Sequence, residues 1–170
     1  VLPYDATPAD LEATEPDLLF VSNGPGDPEN FVAAEALVSE LAGQLPIAGI
    51  CLGQQLMCSW SEEGNTRCIG IFDQEVRRFP AGPLKVPHMG WNSLDRVGGD
   101  LFPAELQGAY VYFVHSYYVP LNEYTVASGY YGGSFTAAMG RDNFFGCQFH
   151  PEKSGEKGIR ILNNFLTLVL

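Results

Sequence analysis

Residues 45–57, LPIAGICLGQQLM, decide the fold. Pro46 to Ile50 is a short run of small and apolar residues and reads as a buried strand. Leu52 onward, LGQQLMCSW, reads as a helix that begins directly after Cys51. Between the two stands a single thiol, with Gly49 and Gly53 close on either side. Upstream, PDLLFVSNGPGDP gives another buried strand, Leu18 to Val21, running into a turn set by Gly24, Pro25, Gly26 and Pro28. From Glu29 to Leu41 the apolar positions Phe31, Ala34, Leu37, Val38 and Leu41 recur at helical spacing, and Gly43 marks a stop. Strand, helix, strand, helix with short apolar strands is the pattern of a parallel sheet with helices on its faces.

Downstream the character changes. YVYFVHSYYV, TVASGYY, GSFTAAMG and NFFGCQFH are strand-like runs separated by Gly, Asn and Pro turns. GIRILNNFLTLVL closes the chain as a helix with a broad apolar face through Ile159, Ile161, Leu162, Phe165, Leu166 and Val169. The expectation is an α/β fold: an open, mostly parallel central sheet flanked by helices, residues 1–170 forming one domain.

Composition narrows the chemistry. With 170 residues, 46% hydrophobic and 17% charged, the chain describes a folded domain able to bury a sizeable core. A net charge of −11 argues against a nucleic-acid binder, which would carry a basic stripe. No apolar run approaches a membrane span and no signal-peptide pattern opens the chain. Starting on Val rather than Met, it reads as processed, trimmed or cut from something longer. Cys51, Cys58, Cys68 and Cys147 form no CxxC pair, which indicates neither a metal site nor a disulfide scaffold and favours a reducing cytoplasm.

In an open parallel sheet, chemistry gathers at the carboxyl ends of the strands. Cys51 would stand there on a strand-to-helix turn, the arrangement of a nucleophile elbow. The N–H groups and positive end of the following helix would favour thiolate, and the Leu52 N–H would steady an oxyanion. The flanking glycines would let a substrate and a neighbouring backbone approach. The alternative is packing: a cysteine as a small hydrophobe at a turn. A thiol nucleophile also needs a base, and the base an orienting group. His150 ends an apolar strand and is followed by Pro151 and Glu152. Pro151 pushes His150 toward extended geometry, which could hold the Glu152 carboxylate near the imidazole.

Together, GICLGQQ and QFHPEKS resemble the class I (triad) glutamine amidotransferases. The resemblance implies Cys51 as nucleophile, His150 as general base and acid, and Glu152 as orienting carboxylate. The reaction it implies is hydrolysis of glutamine through a cysteine thioester, with ammonia passed to a synthase partner and no metal or organic cofactor. SEEGNT, KVPHMGWN, YVYFVHSYY and FGCQFHPEKSGEKGIRILNNF look like one branch, the glutaminase subunits of imidazole glycerol phosphate synthase, from about residue 49 onward. The first part, through SNGPGDP, instead resembles the small chain of carbamoyl phosphate synthetase, and the usual first strand and helix of both look missing. The alternatives that follow are a glutaminase for carbamoyl phosphate synthesis and a non-catalytic hybrid scaffold.

The same resemblance implies further roles. Gly24 and Gly26 would line the glutamine pocket, the N–H of Gly24 joining that of Leu52 as oxyanion donor. Gln55, one turn past the nucleophile, would hold the glutamine backbone groups, and Glu63 its α-ammonium. Ser116 and Tyr117 would complete the pocket. Met89, Trp91, Tyr112 and Lys153 match positions that meet a barrel-shaped cyclase, implying a heterodimer; core packing is the other reading of Trp91 and Tyr112. His88 and His115 read as structural or pocket-lining. Pro25 and Pro28 restrict the oxyanion loop, which predicts glutaminase activity without a partner.

Overall fold

A computed structural model describes residues 1–3, 5–22, 32–41 and 44–169. In chain order the elements are α1 (Pro8–Glu12), β1 (Leu19–Val21), α2 (Val32–Glu40), β2 (Ile47–Ile50), α3 (Leu52–Leu56), β3 (Trp60–Ser61), β4 (Thr66–Arg67), β5 (Glu75–Arg78), β6 (His88–Ser93) and β7 (Arg96–Val97). There follow β8 (Tyr110–His115), β9 (Tyr117–Tyr118), β10 (Thr125–Tyr130), β11 (Ser134–Arg141), β12 (Phe144–Cys147) and α4 (Gly155–Val169).

Six strands make the central sheet in the order β1-β2-β12-β11-β10-β7. β1, β2 and β12 run parallel, with Leu19 opposite Ile47 and Ile50 opposite Cys147. From β12 to β7 the pairing is antiparallel. The α/β class and the open sheet are those the sequence implies. Parallel pairing is confined to one side, so the sheet as a whole is mixed. The reason is connectivity: β10, β11 and β12 follow one another through short turns, and tight turns join antiparallel strands, whereas parallel neighbours need long crossovers. A four-stranded sheet, β4-β3-β5-β9, and the paired strands β6 and β8 stand beside the central one.

The core divides into two clusters. One gathers Phe102, Val111, Phe113, Phe135, Phe149, Ile161 and Phe165, which joins α4 and β8 to the sheet. The other gathers Leu11, Leu37, Val38, Leu41, Ile47, Met57, Phe72 and Val119 around α1, α2 and the turn after α3. The expected amphipathic helices are thereby seated in part: α2 and α4 bury Leu37, Val38, Ile161 and Phe165, but Ile159 and Leu166, expected on the apolar face of α4, are exposed.

Two local readings change. The helix after Cys51 stops at Leu56 instead of running toward Trp60. The backbone shows why: the carbonyls of Leu56, Met57 and Cys58 accept from Ile69, Phe72 and Gly70, which diverts them from a next helical turn and starts the second sheet. The short helix α1 was not marked in the sequence. It is closed by a capping box in which Thr7 and Asp10 exchange bonds, a signal present in the letters TPAD.

Candidate active site

The parallel pairing of β2 with β12 sets their carboxyl ends at the same edge of the sheet, and both lead into the candidate site. Cys51 directly follows β2, and its N–H donates to the carbonyl of Cys147, the last residue of β12, at 2.7 Å. Three residues later comes His150. Its own N–H donates to the carbonyl of Tyr112 on β8 at 2.8 Å. Cys51 is thus tied by a backbone bond to the end of β12, and His150, three residues beyond that end, to the middle of β8.

Cys51 has φ 54°, ψ −106°, in the left-handed half of backbone space that non-glycine residues seldom enter. Such a conformation costs on the order of 1–3 kcal/mol and persists only where its surroundings impose it. Here the surroundings are glycines. A Cβ on Gly49 would collide with the backbone of Gly53 and Gln54, and one on Gly53 with the carbonyl of Val21. The bare glycines therefore admit neighbouring backbone, letting the first turn of α3 cross directly over β1 and β2.

The sulfur is 7% exposed by residue, and its environment is specific. Gln148 Nε2 donates to Sγ at 3.5 Å, and the thiol faces the carbonyl of Val114 at 3.8 Å. Burial pushes the thiol up to about 11; the Leu52 N–H and Gln148 act in the opposite direction, while the charges of Glu63 and Glu152 add to the rise. This corrects the expectation of a standing thiolate. A five-residue helix in a buried site supplies donors too few to offset desolvation. The proton has to be taken by a base.

His150 is 2% exposed and extended, at φ −100° and ψ 95°, as the following proline requires. Its Nδ1–H donates to Glu152 Oε1 at 2.8 Å, so in the neutral ring Nε2 is the acceptor. Among the described residues Nε2 has no hydrogen-bond partner, and no bond joins it to Cys51. Ser154 ties the segment down: its Oγ donates to the His150 carbonyl at 2.6 Å and accepts the Tyr112 N–H at 3.0 Å.

The remaining expected residues fall as follows. Gly24 and Gly26, with Pro25 and Pro28, lie outside the described residues. Gln55 is buried, but its Nε2 is held by the Tyr117 carbonyl at 3.1 Å and by Gln148 Oε1 at 2.9 Å; Oε1 enters neither bond. Glu63 is half-buried and close enough to act on Cys51 electrostatically. Ser116 lies between β8 and β9 and Tyr117 opens β9, the Ser116 carbonyl accepting from the Phe79 N–H. Met89 and Trp91 are 62% and 55% exposed, and Trp91 pairs with Tyr112 across β6 and β8, ring centroids 6.0 Å apart. Lys153 is exposed. The reading of Trp91 as core therefore fails.

His88 and His115 form a buried pair. The Tyr117 carbonyl accepts from His115 Nδ1 at 2.7 Å, so His115 Nε2 is an acceptor and takes its bond from His88 Nδ1 at 3.0 Å. Desolvation holds the two near 3 and 4 respectively, so both are neutral at neutral pH. Sequence reasoning missed Gln148. The available signal was a lone amide inside the apolar run FFGCQFH, where a polar residue has to find buried partners. Among the described residues, no cluster of three or more His, Cys, Asp or Glu side chains is placed to hold a metal ion.

Comparison with known proteins identifies the family. The family model of class-I glutamine amidotransferases matches residues 1–169. The chain belongs to that family. Imidazole glycerol phosphate synthase subunit HisH of Bacteroides fragilis is 56% identical over 125 residues, covering 72% of this chain and 64% of the relative. The subunit of the same name from Escherichia coli is 49% identical over the same length and coverage. The chain thus spans under two-thirds of the length of these relatives. Among solved structures, a glutamine amidotransferase superposes with TM-score 0.69 at 18% identity, covering 96% of this chain and 83% of that one. Another, from Thermotoga maritima, gives TM-score 0.56 at 18% identity over 88% and 63%. At such identity these likenesses speak to the fold.

Proposed function

We propose that this amidotransferase domain is the glutaminase of a two-component imidazole glycerol phosphate synthase, hydrolysing glutamine and passing ammonia to a cyclase subunit. What carries the reading is the joint placement of Cys51 and the His150–Glu152 pair at one strand end in a chain half-identical to HisH subunits. His150 Nε2 takes the Cys51 proton, and Sγ attacks the side-chain carbonyl carbon of glutamine. The oxyanion meets the Leu52 N–H and, on the family pattern, that of Gly24. As the intermediate collapses, the C–N bond breaks and His150 returns the proton to the leaving nitrogen, releasing ammonia and leaving a thioester. Water, deprotonated by His150, then cleaves the thioester to glutamate and restores the thiol. Glu152 holds the imidazole in the Nδ1–H tautomer throughout.

The pocket roles of Gln55, Glu63, Ser116 and Tyr117, and the facing of Met89, Trp91, Tyr112 and Lys153 toward a barrel-shaped cyclase, belong to the same proposal. So does a cytoplasmic setting, which suits four cysteines with no CxxC spacing. No helix among the described residues is long and apolar enough to cross a membrane.

The test is to mix the chain with an imidazole glycerol phosphate cyclase and measure glutamate release. The expected result is turnover that Cys51→Ala abolishes; equal turnover by both forms overturns the reading. The unpartnered Nε2 favours one competing reading, a scaffold without turnover. Labelling with 6-diazo-5-oxo-norleucine separates them, since only a working site alkylates Cys51.

A further inference from the structure

Gln148 is wholly buried, 97 positions from Cys51 in sequence, and yet its amide is spoken for at both ends. Oε1 accepts from Gln55 Nε2 at 2.9 Å, and Nε2 donates to the Cys51 sulfur at 3.5 Å. An amide has two orientations, and which one is adopted depends on its partners. Gln55 settles it, because Gln55 can offer only hydrogens: its Nε2 is anchored on the Tyr117 carbonyl at 3.1 Å. That same carbonyl accepts from His115, which is held in turn by His88. The Tyr117 carbonyl thus collects donors from both sides, and Gln55, donating to it and to Gln148 Oε1, leaves the Gln148 N–H aimed at the sulfur.

We propose that Gln148 is a positioning residue for the amidotransfer reaction: oriented by Gln55, it holds the Cys51 sulfur at the elbow and gives the thiolate a donor once His150 has taken the proton. This rests on Cys51 being the nucleophile. The need for such a donor follows from what surrounds the sulfur. Glu63 and Glu152 both oppose negative charge there and Cys147 is buried alongside, while among the described residues the Leu52 N–H and Gln148 favour it. A buried anion with too few donors is strongly disfavoured, and a hydrogen bond to a charged group is among the stronger ones. The function of Gln148 is therefore specific to the charged state of Cys51 and not to the packing of the strand end.

The experiment compares wild type with Gln148→Met, which keeps the volume and removes the donor. Two readouts are taken: the rate of Cys51 carboxamidomethylation by iodoacetamide, followed on the Cys51 peptide by mass spectrometry from about pH 7 to 9.5, and the kcat and KM for glutamine with cyclase present. Alkylation reports the thiolate fraction whether or not the domain turns over glutamine, so the two failures are distinguishable. Loss of the donor should slow Cys51 alkylation about tenfold at a given pH and lower kcat by a similar factor, with KM changed less than about threefold. Should Gln148→Met not fold, Gln148→Leu carries the test, since it also brings no donor to the sulfur and should slow alkylation by a similar factor. An alkylation profile unchanged in a folded variant overturns the proposal, as does a loss confined to KM. Slowed alkylation in a chain with no glutaminase activity would sustain the role of Gln148 and remove the functional reading above it.

Discussion

At the scale of single residues, buried polar groups divide sharply into those with partners and those without. Gln148, Gln55, His88 and His115 are linked in one chain of bonds. Gln54, wholly buried on α3, has no partner among the described residues for either end of its amide, and its side chain packs against Gly146. An unpaired buried amide is costly, so Gln54→Met should raise stability by about 1–2 kcal/mol, read as a higher urea midpoint. The histidine pair gives a pH dependence of definite sign. Burial lowers His88 to about 4 and His115 to about 3 from an ordinary 6.5, so on acidification the unfolded chain binds these protons first. Their neutral burial is compatible with full stability above about pH 6.5, and stability drains away as the pH falls from there toward about 4. The groups facing the pair are the rings of Phe79, Phe113, Tyr131 and Phe135, the Asn92 amide and, for His115, also His150. Urea unfolding at about pH 7.5 and 5.5 should show this loss, and His88→Gln should make it shallower.

At the scale of elements, α3 is an unusual helix: five residues, all buried, with its first turn lying on strand backbone. Its stability comes from contact, since a helix this short has almost none of its own. The contact depends on Gly53, whose missing side chain admits the Val21 carbonyl. Because the obstruction is backbone and not a flexible side chain, Gly53→Ala should cost about 3 kcal/mol or more in thermal or urea denaturation and displace Cys51 from its strained conformation. The lesson about legibility belongs here as well. β1, expected to be buried, instead leaves Phe20 exposed. The strands β2, β10 and β11 could be read as apolar runs between turns, and the helices α2 and α4 from their apolar spacing. The end of α3 could not, because it is set by carbonyl acceptors that turn toward residues 69–72, a contact no local pattern encodes.

At the scale of the molecule, the sheet carries the candidate site on one edge and an aromatic face beside it. Trp91 and Met89 on β6 stand out into solvent, Tyr112 lies across from Trp91, and the strand that bears Tyr112 also anchors His150 through a backbone bond. A surface tryptophan flanked by methionine and tyrosine has the composition of a binding hot spot. With the cyclase as partner, Trp91→Ala should weaken association by about 2 kcal/mol, roughly 30-fold in Kd, while leaving the unfolding midpoint of the isolated chain within about 0.5 kcal/mol. Titration calorimetry against the cyclase measures the first and urea unfolding the second.

By itself the sequence determined the α/β class, the elbow at Cys51 and the His150–Glu152 pair, because each is written in neighbouring letters: strand into helix, histidine beside proline, apolar spacing. Tertiary structure alone decided which strands pair parallel, that the thiol rests protonated, and that Gln148 reaches the sulfur. Those depend on desolvation and on partners nearly a hundred residues apart, and such energies exist only once the chain has closed on itself.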